Sequence, residues 1–107
     1  EEKELIKQML AKGGFPVLRF TDKKGSISFD VNKPVMTVGR DKSANICIKN
    51  NNISRHHFSI IFENDNYRII DNNSTNGIIL NGKKVGEALL NNTDIIEIAD
   101  VSFAFFK

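Results

Sequence analysis

Hydrophobic residues recur along this chain on two different periods, and the change falls at Gly13-Gly14. Before that pair, Leu5, Ile6, Met9 and Leu10 fall on one stripe of a helix spanning residues 3–12, with Lys and Glu at most other positions. The glycine pair ends the helix. A helix this short is marginal on its own in water, so it docks on the rest of the chain, docks on a partner, or frays. After Gly14 the pattern changes to short β-type runs: Phe15–Phe20, Ser26–Phe29, Val35–Val38, Ile46–Ile48, His57–Phe62, Tyr67–Ile70, Ile78–Leu80, Ile95–Ile98 and Ser102–Phe106. Turn-forming clusters separate them, among them Asp22-Lys23-Lys24-Gly25, Asn64-Asp65-Asn66, Asp71–Gly77 and Asn91-Asn92-Thr93. Many short strands at this spacing predict an all-β antiparallel sandwich or barrel. Leu80-Asn81-Gly82-Lys83 marks a two-residue hairpin, because a type I′ turn needs positive φ at both central positions. Two units are therefore expected: a helical extension over 1–14 and one β domain over 15–107.

Composition narrows the function classes. The chain of 107 residues suits one core, and no apolar run approaches the roughly 18–20 residues that cross a bilayer. Glu1-Glu2-Lys3-Glu4 is unlike the start of a secretion signal, and the missing initiator Met suggests a piece of a longer protein. A net charge of +2 is too small for a general nucleic-acid face but allows one localised anion site. The lone Cys47 permits no internal disulfide and no thiol metal site, which points to a reducing intracellular compartment such as the cytoplasm. No cofactor or metal is expected, nor any membrane insertion.

Three loops carry polar residues that a turn alone does not require: Gly39-Arg40, Ser54-Arg55-His56-His57 and Ser74-Thr75-Asn76-Gly77. Loops that alternate along an antiparallel sandwich tend to emerge at the same end. Converging there, these would form a shallow pocket of guanidinium, hydroxyl and carboxamide groups suited to a phosphate. Arg offers a planar fork of donors, and charge-assisted bonds are about twice as strong as neutral ones. Adjacent residues on a strand face opposite ways, so His56 and His57 do not readily share one metal ion.

Gly39-Arg40, Ile46-Cys47-Ile48, Ser54-Arg55-His56-His57, Asn73-Ser74-Thr75-Asn76-Gly77, Asn81-Gly82 and the tail Asp94–Ile98 with Phe103-Ala104-Phe105 resemble, in order and spacing, the forkhead-associated (FHA) domain signature. The resemblance covers residues 15–107. It implies an eleven-stranded antiparallel β-sandwich that binds phosphothreonine peptides non-catalytically through loops at one end, as a monomeric module for a phosphorylated partner protein. Carried over, Arg40 is the main phosphate contact and Ser54 donates its hydroxyl to a phosphate oxygen. Thr75 supports the phosphate side, and Asn76 holds the peptide backbone after the phosphothreonine. Arg55 and Asn52 are further contacts, while Gly39, His57 and Gly77 are structural supports. The resemblance also assigns the choice of following residues to a variable loop around Lys83–Glu87. The sequence departs from the family pattern at Asn45, where Asp is common, and at Asn92-Thr93 and Ala99, where Gly is common.

Two other readings stand beside this one. A hydrolase built on Ser54 and His57 lacks an orienting carboxylate in the three loops other than Asp41, and a phosphatase would need a metal cluster or reactive Cys. A structural sandwich without phosphate dependence leaves two loop arginines beside Ser and Asn unexplained.

Overall fold

Alternation of period two builds two facing layers, seen in a computed structural model that describes Glu1 to Lys107. Helix α1 (Glu2–Ala11) precedes strands β1 (Val17–Asp22), β2 (Gly25–Asp30), β3 (Val35–Gly39), β4 (Ile46–Cys47), β5 (Phe58–Glu63), β6 (Asn66–Asp71), β7 (Ile78–Leu80), β8 (Lys83–Val85), β9 (Glu87–Leu90), β10 (Asp94–Ile98) and β11 (Val101–Phe106). One sheet runs β2-β1-β11-β10-β7-β8 and the other β4-β3-β5-β6-β9. Leu18 and Phe20, Ile96 and Ile98, and Phe103 and Phe105 point inward from the first sheet. Met36, Val38, Phe58, Ile60, Phe62, Tyr67 and Ile69 meet them from the second. Phe58 and Phe103 cross this boundary edge to face, with ring centroids 5.3 Å apart. Each such apolar side chain contributes roughly 1.5–3 kcal/mol by leaving water.

The sandwich is not wholly antiparallel as expected. β3 and β4 pair in parallel, Val38 with Ile46 and Gly39 with Cys47. This exception positions the site. Consecutive loops in strict antiparallel order emerge at opposite ends. β4 has only two residues and runs the same way as β3, so the β3–β4 loop folds back at one end and the β4–β5 loop leaves from that same end. β5 then returns antiparallel to β3, and β6 to β5, which brings the β6–β7 loop there as well.

Two strands lie where no β pattern is visible. β8 holds Lys83 and Lys84 with both faces largely exposed, and it is ordered by pairing with β7 across the Asn81-Gly82 turn, at φ 49° and 87°. β9 pairs with β6. The segment expected as a variable loop around Lys83–Glu87 is therefore mostly strand, reduced to a turn at Gly86. That turn still reaches the site end, because the Asp71 amide donates to the Gly86 carbonyl at 2.8 Å.

Helix α1 docks on its own domain. Met9 is fully buried in the main core, Leu5 packs against that core, and Lys12 lies 3.9 Å from Asp65 in the β5–β6 hairpin, at the end opposite the three loops. The helical stripe is wider than this contact, so Leu10 stays exposed. No helix is long and apolar enough to cross a membrane.

Candidate functional site

The site begins at Gly39, where the two loops meet. A Cβ there would sit 1.9 Å from the Arg55 carbonyl oxygen, so the missing side chain is what lets the β3 end lie against the β4–β5 loop. Beyond it the loops are joined backbone to backbone. The Arg40 amide donates to the Ser54 carbonyl at 3.0 Å and the Asp41 amide to the Arg55 carbonyl at 3.1 Å. Arg40 Nε donates to the Ile53 carbonyl at 2.9 Å. That bond anchors the guanidinium and uses none of its terminal nitrogens, which make no hydrogen bond within the chain on an exposed side chain.

Ser54 is held on two sides. Its amide donates to His57 Nδ1 at 3.0 Å, and its Oγ accepts the Thr75 amide at 3.0 Å. A hydroxyl that accepts in this way keeps its own hydrogen free to donate. His57 is fully buried, and its Nε2 donates to the Gly77 carbonyl at 2.8 Å. With Nδ1 accepting and Nε2 donating, the ring is the neutral Nε2–H tautomer. It ties the β4–β5 loop to the β6–β7 loop from beneath. His56 points away, exposed, with its Nε2 3.4 Å from Ser43 Oγ.

The β6–β7 loop is shaped by Asp71. Its carboxylate accepts from the Ser74 amide at 3.2 Å and from the Ser74 hydroxyl, and Ser74 Oγ accepts from the Gly77 amide at 2.9 Å. Asn73 at φ 58° and Gly77 at φ 70° supply the left-handed turns. Ser74 is thus consumed by the scaffold, while Thr75 and Asn76 stay exposed. Asn76 Nδ2 donates to the Asn52 carbonyl at 2.8 Å, and Asn52 Nδ2 donates to Asp100 Oδ1 at 2.9 Å. The Asn52 carboxamide is therefore turned to the β10–β11 turn, and its backbone carbonyl serves Asn76.

A cleft of about 570 Å³ opens beside these loops, lined by Arg40, Asp41, Lys42, Lys49, Asn51 and Arg55. Asp41 is its only carboxylate. Hydrogen bonds from the Ser43 hydroxyl and amide hold that carboxyl below the usual carboxylate range, with smaller help from the charges of His56 and Arg55. The three loops thus bring together Arg40, Asn52, Ser54, Arg55, Thr75 and Asn76 at one end. Lys42, Lys49 and Asn51 join them without having stood out in the sequence. A surface lysine has no periodic signature, and Asn51 sits in a run that reads as turn chemistry.

A profile of the FHA domain family matches residues 36–99. The chain belongs to the FHA domain family. This FHA domain is 30% identical over 81 residues to the ABC transporter ATP-binding/permease protein Rv1747 of Mycobacterium tuberculosis, covering 76% of the chain and 9% of that protein. It is 29% identical over 102 residues to the transcriptional regulatory protein EmbR of the same organism, covering 94% of the chain and 26% of EmbR. The chain thus spans only a small part of either relative. Among solved structures, M. tuberculosis EmbR in complex with a low-affinity phosphopeptide superposes with a TM-score of 0.77 at 28% identity, over 97% of this chain and 28% of that one. The Slr1951 protein of Synechocystis gives a TM-score of 0.78 at 32% identity, over 86% of this chain and 94% of that one.

Proposed function

We propose that this domain recognises phosphothreonine in a partner protein without catalysis, through the end formed by the β3–β4, β4–β5 and β6–β7 loops. One observation carries the reading: exposed Arg40 is anchored through Nε with its terminal nitrogens unbonded, in the loop bonded to Ser54, whose hydroxyl hydrogen is free. Two sets of donors with no competing acceptor suit a phosphate dianion. Hydrogen bonds to charged groups contribute about 1.5–3 kcal/mol each. Arg55 adds charge at the rim, Thr75 presents its exposed side chain beside Ser54, and Asn76 is steadied by the Asn52 carbonyl to hold the peptide backbone. The EmbR complex, at 28% identity, supports the reading because its ligand is a phosphopeptide. Residues 15–107 form the binding unit in this proposal, with residues 1–14 as an extension packed at the far end. The unit acts as a monomer on a phosphoprotein rather than on nucleic acid.

The experiment is calorimetric titration with one peptide in three forms: phosphothreonine, phosphoserine and unphosphorylated. Phosphothreonine should bind tightest and the unphosphorylated form not measurably. A preference over phosphoserine of at least several-fold is expected, since one buried methyl contributes about 0.8 kcal/mol and a β-branched residue loses less χ1 freedom. Equal binding of all three forms would favour a sandwich without phosphate dependence.

A further inference from the structure

We propose that the cleft running from Arg40 and Arg55 to Lys42 and Lys49 receives a second negative group of the same phosphothreonine partner, either an acidic side chain or a second phosphate near the first. This rests on the reading of Arg40 and Ser54 as the phosphothreonine seat. The cleft shares Arg40 and Arg55 with that seat, but Ser54, Thr75 and Asn76 do not line it. Space for an anion therefore continues past the first phosphate. At about 570 Å³, with no apolar side chain in its lining, the cleft has room for more than one small polar group.

Charge points the same way. Four cations and one carboxylate line the cleft, a net of +3, against +2 for the whole chain, so the rest of the molecule is slightly acidic. The positive charge is thus focused at one place, which raises the local concentration of an anionic ligand. The one carboxylate is already engaged by Ser43. None of Arg40, Lys42, Lys49 and Arg55 forms an ion pair within the chain, whereas Arg68 on the outer face of the same sheet is paired with Glu63 and Glu87. Lys49 is drawn to this place, its Nζ lying 3.5 Å from the Arg40 carbonyl oxygen. Crowded cations of like sign repel one another, and a ligand bearing a second anion relieves that repulsion on binding.

The test uses the folded domain and a set of peptides sharing one phosphothreonine. One has neutral flanks, others carry Asp pairs before or after the phosphothreonine, and others carry a second phosphothreonine at those positions. Titrations compare the wild-type protein with the double variant Lys42→Ala/Lys49→Ala, whose folding is checked by its thermal melt. On one side of the phosphothreonine, the second phosphate should tighten binding about tenfold and the Asp pair by less. The double variant should lose that gain while weakening the neutral-flank peptide by clearly less, since only long-range attraction is removed there. A gain of less than about twofold on both sides, or a gain that survives the double variant, would overturn the inference. So would binding of a mixed-sequence oligonucleotide or of phosphatidylserine vesicles as tight as that of the doubly phosphorylated peptide, since the cleft would then be a general polyanion surface. If the neutral-flank peptide binds no better than its unphosphorylated form, the phosphothreonine seat itself fails and this inference falls with it.

Discussion

Replacing His57 by alanine removes the side chain that joins two loops of the site from below. The ring accepts the Ser54 amide at 3.0 Å and donates to the Gly77 carbonyl at 2.8 Å, in a position with no solvent exposure. Each bond contributes about 1 kcal/mol net, and each stranded partner adds a desolvation cost wherever water does not reach it. The vacated volume lies against Phe58, whose ring centroid is 6.3 Å from that of His57, so a cavity cost adds to the loss. Together these come to roughly 3–4 kcal/mol. A domain of this size melts about 4–8 °C lower per kcal/mol, so a fall on the order of 15–25 °C is expected. Thermal and urea melts followed by circular dichroism measure it, paired with peptide titration well below the melting point. Binding at that temperature should fall less than it does on removing Arg40. A melting point within about 4 °C of wild type, equivalent to under 1 kcal/mol, would refute the bracing role.

Tyr67 is the only tyrosine, its hydroxyl is buried without a hydrogen-bond partner, and burial raises its pKa from 10.0 to about 12. Between those values the unfolded phenol loses its proton first, so stability should fall by about 1.4 kcal/mol per pH unit as pH rises. A tyrosinate absorbance titration that gave the same midpoint in native and urea-unfolded protein would refute this. Thr93 is a β-branched residue at φ 71°, and Thr93→Gly should raise stability by about 0.5–1 kcal/mol once the flexibility glycine adds to the unfolded chain is subtracted. A lower melting point for the glycine variant would contradict that expectation.

The legible parts of this molecule are those where one local rule acts alone. Asn81-Gly82 announces its hairpin because few residue pairs adopt two positive φ values in succession, and the structure has both. The strands of the core, such as Phe58–Glu63 and Val101–Phe106, are visible from their alternation. β4 lies within the visible run Ile46–Ile48, but its parallel pairing with β3 was hidden, since two residues carry too little pattern to choose a partner and the fold chooses it. β8 was announced only by the Asn81-Gly82 turn and shows no alternation of its own, because Lys83 and Lys84 are exposed on an edge strand, where no apolar face is selected. The helix stripe was legible but its docking surface was not, because Met9 and Leu10 look alike in sequence and only Met9 meets the core. For the candidate site, residue types and order could be read from the family-like motifs. The resemblance also implied that His57 is a support, but not its partners: the ring joins the Ser54 amide to the Gly77 carbonyl, and Asn52 contributes its backbone carbonyl rather than its side chain to Asn76. The basic cleft was unreadable because Lys42 and Lys49 lie seven positions apart and meet only through the folded-back β3–β4 loop.

The most direct test of the account is a titration of one phosphothreonine peptide into wild-type protein and into Arg40→Ala. Removing two charge-assisted bonds of about 1.5–3 kcal/mol each should weaken binding about a hundredfold or more. The variant should stay folded by circular dichroism, with a melting point lowered only by the loss of the exposed side chain's bond to the Ile53 carbonyl. A folded Arg40→Ala variant that binds the phosphopeptide within about threefold of wild type would contradict the account.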